Sequence, residues 1–237
     1  MVDPLGLLGK SIFTDNQMLF VFFFYGLGFI VLGIVTFTRK SRIIEIDLTK
    51  SFYYLGAFGI IHGLTEWLDL LRLYFKIMYG LQYAFLNSLK LVMLLASFVF
   101  LMQFGLNILT LITKKYKGVR IMPIYLLIIF IVATVMTGRF SDSELFIRVL
   151  FGFTASMISS MAFFKLRSVF MANNLDAMVN GSTLMAAAFA VYAIFSGVIT
   201  FPILGIPPQV VRMLCSLTIG YASFRLLTVL ESGLKKS

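Results

Sequence analysis

Residues 60 to 71 read IIHGLTEWLDLL and place a histidine and two carboxylates inside an apolar run. At about 100° per residue, His62, Glu66 and Asp69 fall within an arc of roughly 60° on one helical face, while Trp67 points away. A carboxylate at the centre of a bilayer costs about 3 kcal/mol on insertion scales, so each must face the interior of a bundle and find a partner or hold its proton. His and Glu four residues apart suit a proton relay. They make a weak metal motif, because two ligands without a second His, a Cys or another placed carboxylate do not close a coordination shell. No metal, haem or other cofactor is expected.

Partners for these acids can be found by counting depth. From the turn near Gly80, Lys90 comes to the level of Asp69 at about 1.5 Å per residue, with Asn87 and Ser88 beside it. Arg72 continues the polar face of the second helix outward, and Arg148 and Arg212 fall within about two turns of the same membrane boundary. The candidate ligand-binding or sensing set is therefore His62, Glu66, Asp69, Arg72, Lys90, Arg148 and Arg212. The same groups can be read as structural ion pairs that fix helix register. Their gathering in one leaflet favours a site, since intramembrane ionisable residues are functional by default. No catalytic set accompanies them: there is no GxSxG elbow and no phosphate loop.

The elements that must carry these residues are helices in a membrane. A chain of 237 residues that is 60% hydrophobic and only 13% charged cannot present itself to water as a soluble domain. Seven stretches are long and apolar enough to span: 18 to 37, 52 to 77, 83 to 112, 121 to 138, 144 to 170, 183 to 201 and 208 to 231. The expected fold is all-α, a polytopic seven-transmembrane-helix bundle over residues 18–231. A short extracytoplasmic segment, 1–17, precedes it, and 232–237 form a cytoplasmic end that can begin a signalling helix. Small residues at packing intervals, Gly59 and Gly63 in the second span and Gly152, Ser156 and Ser159 in the fifth, mark helix contacts.

The formal charge of +10 would suggest nucleic acid in a soluble protein. Here the basic residues gather in loops on one side: Arg39, Lys40, Arg42 and Lys50, then Lys114, Lys115, Lys117 and Arg120, then Lys165 and Arg167. The positive-inside rule puts that side, with Lys235 and Lys236, in the cytoplasm and the N-terminus outside. No aromatic and basic stripe offers a nucleic-acid platform. The single cysteine, Cys215, excludes a disulfide within the chain and reads as a core side chain.

The segments YGLGFIVLGIVTF, AFGIIHGLTEWLDLL and FRLLTVLES resemble the N-terminal seven-helix membrane region of certain bacterial sensor histidine kinases and diguanylate cyclases, most clearly in the His-Gly-x-x-Glu-Trp run. The resemblance implies a multi-pass protein of the bacterial inner membrane acting in signal transduction, as in two-component systems. Its last helix would lead to a cytoplasmic signalling domain or kinase beyond Ser237 or on a partner, so no enzymatic activity is expected of these residues. Leu227, Leu230 and Leu234 have a heptad-like spacing that suits a homodimer, and a helix end lying on the bilayer suits it equally. The first functional expectation is a sensor that detects a hydrophobic or small-molecule ligand in an outer-leaflet cavity. The alternative is a proton- or ion-coupled transporter or channel, which the scarcity of cytoplasmic-half polar groups beyond Gln103, Ser159 and Ser160 disfavours.

Overall fold

The computed structural model describes residues 11–38, 46–114, 117–138 and 143–233, without the side chains of 46–50, 117 and 230–233. Among them the chain is helical apart from its connections, with one isolated antiparallel bridge between Ile203 and Ile206. The helices are α1 (Asp15–Thr38), α2 (Ile46–Tyr79), α3 (Ala84–Thr113), α4 (Met122–Thr137), α5 (Ser143–Ile147), α6 (Thr154–Ala172), α7 (Asp176–Ala193) and α8 (Pro208–Gly233). A π-helical segment, Arg148–Phe153, joins α5 and α6 into one rod, and a second, Ile194–Val198, extends α7. Each of the seven apolar stretches thus lies on one of seven rods among the described residues.

Six of these rods are long and apolar enough to cross a membrane. The exception is α2, whose 34 residues include the polar run. That run faces inward: His62, Thr65 and Glu66 are buried. A sequence criterion counts polar residues wherever they point, whereas insertion cost depends on whether they meet lipid. Six rods pack in a closed order, α1 on α2, α2 on α3, α3 on α6, α6 on α7, α7 on α8 and α8 back on α1. Their inner faces share a core that includes Tyr25, Phe29, Phe58, Phe98, Phe163 and Phe189. The remaining rod, α4, leans on the ring near α3 and buries only Pro123 and Phe130 of its own residues.

Close backbone approach sets the register between α1 and α2. A Cβ on Gly59 would lie 2.7 Å from both Gly33 N and Phe29 O, and one on Gly63 would lie 2.7 Å from Gly26 O. Without solvent to drive helices together, such contact supplies the dispersion that holds a membrane bundle. Trp67, turned away from the acidic face, stacks on Phe23 and donates its indole N–H to Phe23 O at 3.2 Å. The ends of the rods carry their own signals. Thr14 and Gln17 form a reciprocal capping box at the start of α1. Gly80 and Gly138, at φ +64° and +63°, close α2 and α4 in the left-handed conformation that costs glycine least.

The basic residues used to orient the chain are divided by what is described. Lys114, Arg120, Lys165 and Arg167 lie in or beside the ends of α3 and α6, at the end of the bundle opposite the polar cluster. Arg39, Lys40, Arg42, Lys115, Lys235 and Lys236 lie outside the described residues, as do the side chains of Lys50 and Lys117. Leu227 is buried in the bundle's own core, so it is not available to open a heptad seam; the side chains of Leu230 and Leu234 lie outside the described residues.

Candidate functional site

The polar face of α2 meets three other rods near the end where α1 begins. Asp69 lies between two cations: its Oδ1 accepts from Arg72 Nη1 at 2.7 Å and its Oδ2 is 2.8 Å from Lys90 Nζ. Lys90, on α3, reaches across to α5, where both oxygens of Glu144 accept from its ammonium at 2.8 Å. Glu144 Oε1 also accepts from Arg148 Nε at 3.0 Å. One ammonium thus ties α2 and α5 to α3, with an arginine backing each carboxylate.

Arg212, near the start of α8, is placed by a different device. Its Nε donates to Phe195 O at 2.7 Å. Phe195 belongs to the wide turn Ile194–Val198, where the rod ends and its last carbonyls have no partner one turn on. A cation at a helix C-terminus satisfies such a carbonyl and complements the dipole. The other wide turn, Arg148–Phe153, packs against this one: a Cβ on Gly197 would fall 2.6 Å from Phe153 Cβ and 3.0 Å from Arg148 O. Single π turns inside α-helices recur at functional sites because they re-aim side chains without ending the rod.

These residues line a cavity of about 450 Å³ that includes Glu66, Asp69, Arg72, Lys90, Arg148 and Arg212. Glu144, Gln209, Thr200, Phe22 and Leu145 complete it. Six of the seven residues singled out in the sequence therefore share one space. His62 lies deeper, about one turn inward from Glu66, and is not on the lining. A second cavity, of about 430 Å³ and extending to Gln82 and Tyr83 beside the Gly80 turn, shares Phe22, Asp69 and Arg72 with the first.

Below Glu66 the polar groups form a chain whose proton positions follow from accounting. Ser97 donates its one hydroxyl proton to Leu94 O at 2.7 Å, so at its 2.9 Å contact with His62 Nδ1 the ring must donate. In a neutral ring Nε2 then accepts, from Tyr192 OH at 2.6 Å, and Tyr192 in turn accepts from Tyr25 OH at 3.0 Å. All four side chains are buried, and they join α1, α2, α3 and α7. With both ring nitrogens engaged, His62 has no lone pair to spare for a metal. Its Nε2 is 3.5 Å from Glu66 Oε1, which makes no hydrogen bond.

Glu144 is not among the residues the sequence singles out, although its spacing of four from Arg148 is an ion-pair signal; it stands at the very start of the fifth apolar stretch, where a carboxylate reads as a residue of the membrane boundary. Gln209, Tyr25, Tyr192 and Ser97 had no such signal, because isolated polar residues in apolar helices look alike until packing brings them together. No family model matches the chain, and comparison with curated proteins and with solved structures finds no match.

Proposed function

We propose that this chain is a membrane-embedded sensor module whose receptor site is the polar cavity between α2, α3, α5 and α8. The observation that carries this reading is the set of polar atoms left without a partner where they border the cavity. Among the described residues Glu66 Oε1, Arg148 Nη1 and Gln209 Oε1 make no hydrogen bond, and of the buried polar atoms so left these three belong to residues that line one cavity, the others, on Arg120, Ser156, Arg167 and Ser182, lying elsewhere. Their convergence on one space is what favours a receptor site over a set of structural ion pairs.

The opposite half of the bundle supports detection over transport. There Ser159 donates to Leu101 O and Ser160 to Ala186 O across helix contacts, and Gln103 donates to Asn107 within α3, so each of these polar groups has a protein partner. In this reading α2 is the seventh span, the site opens on the extracytoplasmic face of a bacterial inner membrane, and the basic ends of α3 and α6 lie in the cytoplasm. The cluster is connected to output by α8, which carries Arg212 at its beginning and runs the length of the bundle. Occupancy of the cavity would bias two arrangements of α8 against α1 and α7, and a cytoplasmic signalling domain or kinase, on this or a partner chain, would read the difference. Catalysis would belong to that output.

The test is a fusion of residues 1–237 to a reporter histidine kinase, with the same protein assayed for ion and proton flux in liposomes. Glu66→Gln and Arg212→Lys should shift kinase output in protein that unfolds like the parent. Unchanged output in both would reduce the cluster to a structural role, and flux abolished by the same substitutions would identify a transporter.

A further inference from the structure

We infer that the cavity binds a small organic monocarboxylate, its carboxylate held between the guanidinium groups of Arg148 and Arg212. This rests on the receptor reading of the same cavity and names its ligand class. Among the described residues, four cations, Arg72, Lys90, Arg148 and Arg212, border the cavity together with two ion-paired carboxylates, Asp69 and Glu144, and with Glu66, which no cation contacts, so positive charge is in excess there. Asp69 is saturated by Arg72 and Lys90, and Glu144 by Lys90 and Arg148. The surplus therefore resides with the two arginines that these acids do not fully engage. Arg148 spends Nε on Glu144 and leaves Nη1 buried without a partner; Arg212 spends Nε on Phe195 O, and its guanidinium makes no other hydrogen bond among the described residues.

Both arginines are more than nine-tenths buried, at 6% and 4% exposure, and Arg148 Nη1 is closed off without a partner. A guanidinium edge presents two parallel N–H donors, which match the two oxygens of a carboxylate. The α8 helix begins at Pro208, so its positive end lies beside Gln209 and Arg212. A carboxylate brings one negative charge to this excess, whereas a phosphate dianion would bring two beside Glu66, which no cation contacts among the described residues. Phe22 and Leu145 give the ligand's carbon body an apolar wall, and the adjoining cavity at Gln82 gives it a way in past Arg72, the most exposed of the four cations at 32%.

The experiment measures binding to the purified full chain in detergent by isothermal titration at constant ionic strength. The probes are acetate, propionate, benzoate and octanoate, the neutral amides acetamide, propionamide and benzamide, and inorganic phosphate. At least one acid should bind saturably while its amide does not. Arg148→Lys and Arg212→Lys, which keep the charge but lose the fork, should each weaken that acid about tenfold or more, the loss expected for one charged hydrogen-bond pair. Arg225→Gln, at the exposed far end of α8, should leave it unchanged. Affinity that climbs from acetate to octanoate would assign the carboxylate to a lipid-soluble acid, and affinity that peaks at a short acid to a water-soluble one. Acids no better than amides, phosphate better than every acid, or affinity indifferent to both arginine substitutions would each overturn the assignment. The reporter fusion separates this from the receptor reading: output that responds to Arg212→Lys but to no carboxylate leaves a sensor with another ligand, and carboxylate binding without output leaves a binding protein that is not this sensor.

Discussion

Lys90→Met and Asp69→Asn, made singly and together, test how the cluster is held. The Lys90 ammonium makes three contacts of 2.8 Å, one to Asp69 and two to Glu144, and is 4% exposed. Methionine keeps the length of the side chain and removes its charge. Asp69 is then left with Arg72 alone and Glu144 with Arg148 alone. Removing one partner of a buried ion pair costs about 3–5 kcal/mol; because each carboxylate keeps a cation, Lys90→Met belongs at the lower end, about 3 kcal/mol. Asp69→Asn is milder, about 1 kcal/mol, because Lys90 retains both oxygens of Glu144 and the amide oxygen still accepts a hydrogen bond. Once Lys90 is gone, Asp69→Asn removes a carboxylate that has lost its better partner, so the double variant should lie about 1–2 kcal/mol above the sum of the single losses in stability. The assay is equilibrium unfolding in mixed micelles, followed by circular dichroism. Losses that add within about 0.5 kcal/mol would mean that the two groups do not meet. Asp69→Asn costing more than Lys90→Met would mean that Glu144 does not share the ammonium.

Tyr192→Phe deprives His62 Nε2 of its donor and Tyr25 of its acceptor, and should cost about 2–4 kcal/mol in the same assay, whereas Tyr25→Phe, at the end of the chain, should cost about 1 kcal/mol. Gly59→Ala drives a methyl against the α1 backbone and should destabilise by about 3 kcal/mol; Gly181→Ala, whose nearest neighbours stand 3.5 Å away, should be neutral or stabilise by up to about 1 kcal/mol through helix propensity. Gly197→Ala presses on Phe153 Cβ at 2.6 Å and Arg148 O at 3.0 Å, so it should destabilise about as much as Gly59→Ala and also weaken carboxylate binding, and equal affinity in a folded variant would mean that the two wide turns do not position the site. Cysteines at Gln82 and Asn173 in a Cys215→Ser background should label from opposite sides of the membrane; labelling from one side would refute the proposed topology.

The apolar stretches, the inward polar face of α2 and the shared depth of Asp69 and Lys90 were legible without coordinates. Each follows from local rules: a span needs a given length of apolar chain, a helix turns by a fixed angle per residue, and a short turn returns the chain at matching depth. The same rules brought Arg72, Arg148 and Arg212 to the right end of the bundle. They could not say which rods touch. That α8 closes the ring against α1, that α4 stands outside it, and that Glu144 rather than Asp69 takes two of the three Lys90 contacts are consequences of side-chain packing between segments far apart in sequence. The wide turns at Arg148–Phe153 and Ile194–Val198 were equally hidden, because these segments are apolar nearly all round and offer no stripe whose phase an extra residue could shift. So was the chain from Ser97 through His62 and Tyr192 to Tyr25: each member is an ordinary helix residue, and only the meeting of four helices makes donors and acceptors coincide. Burial of an ionisable group could be read from the sequence because lipid penalises it wherever it lies, but its partner could not, since that depends on which faces the packed helices bring together.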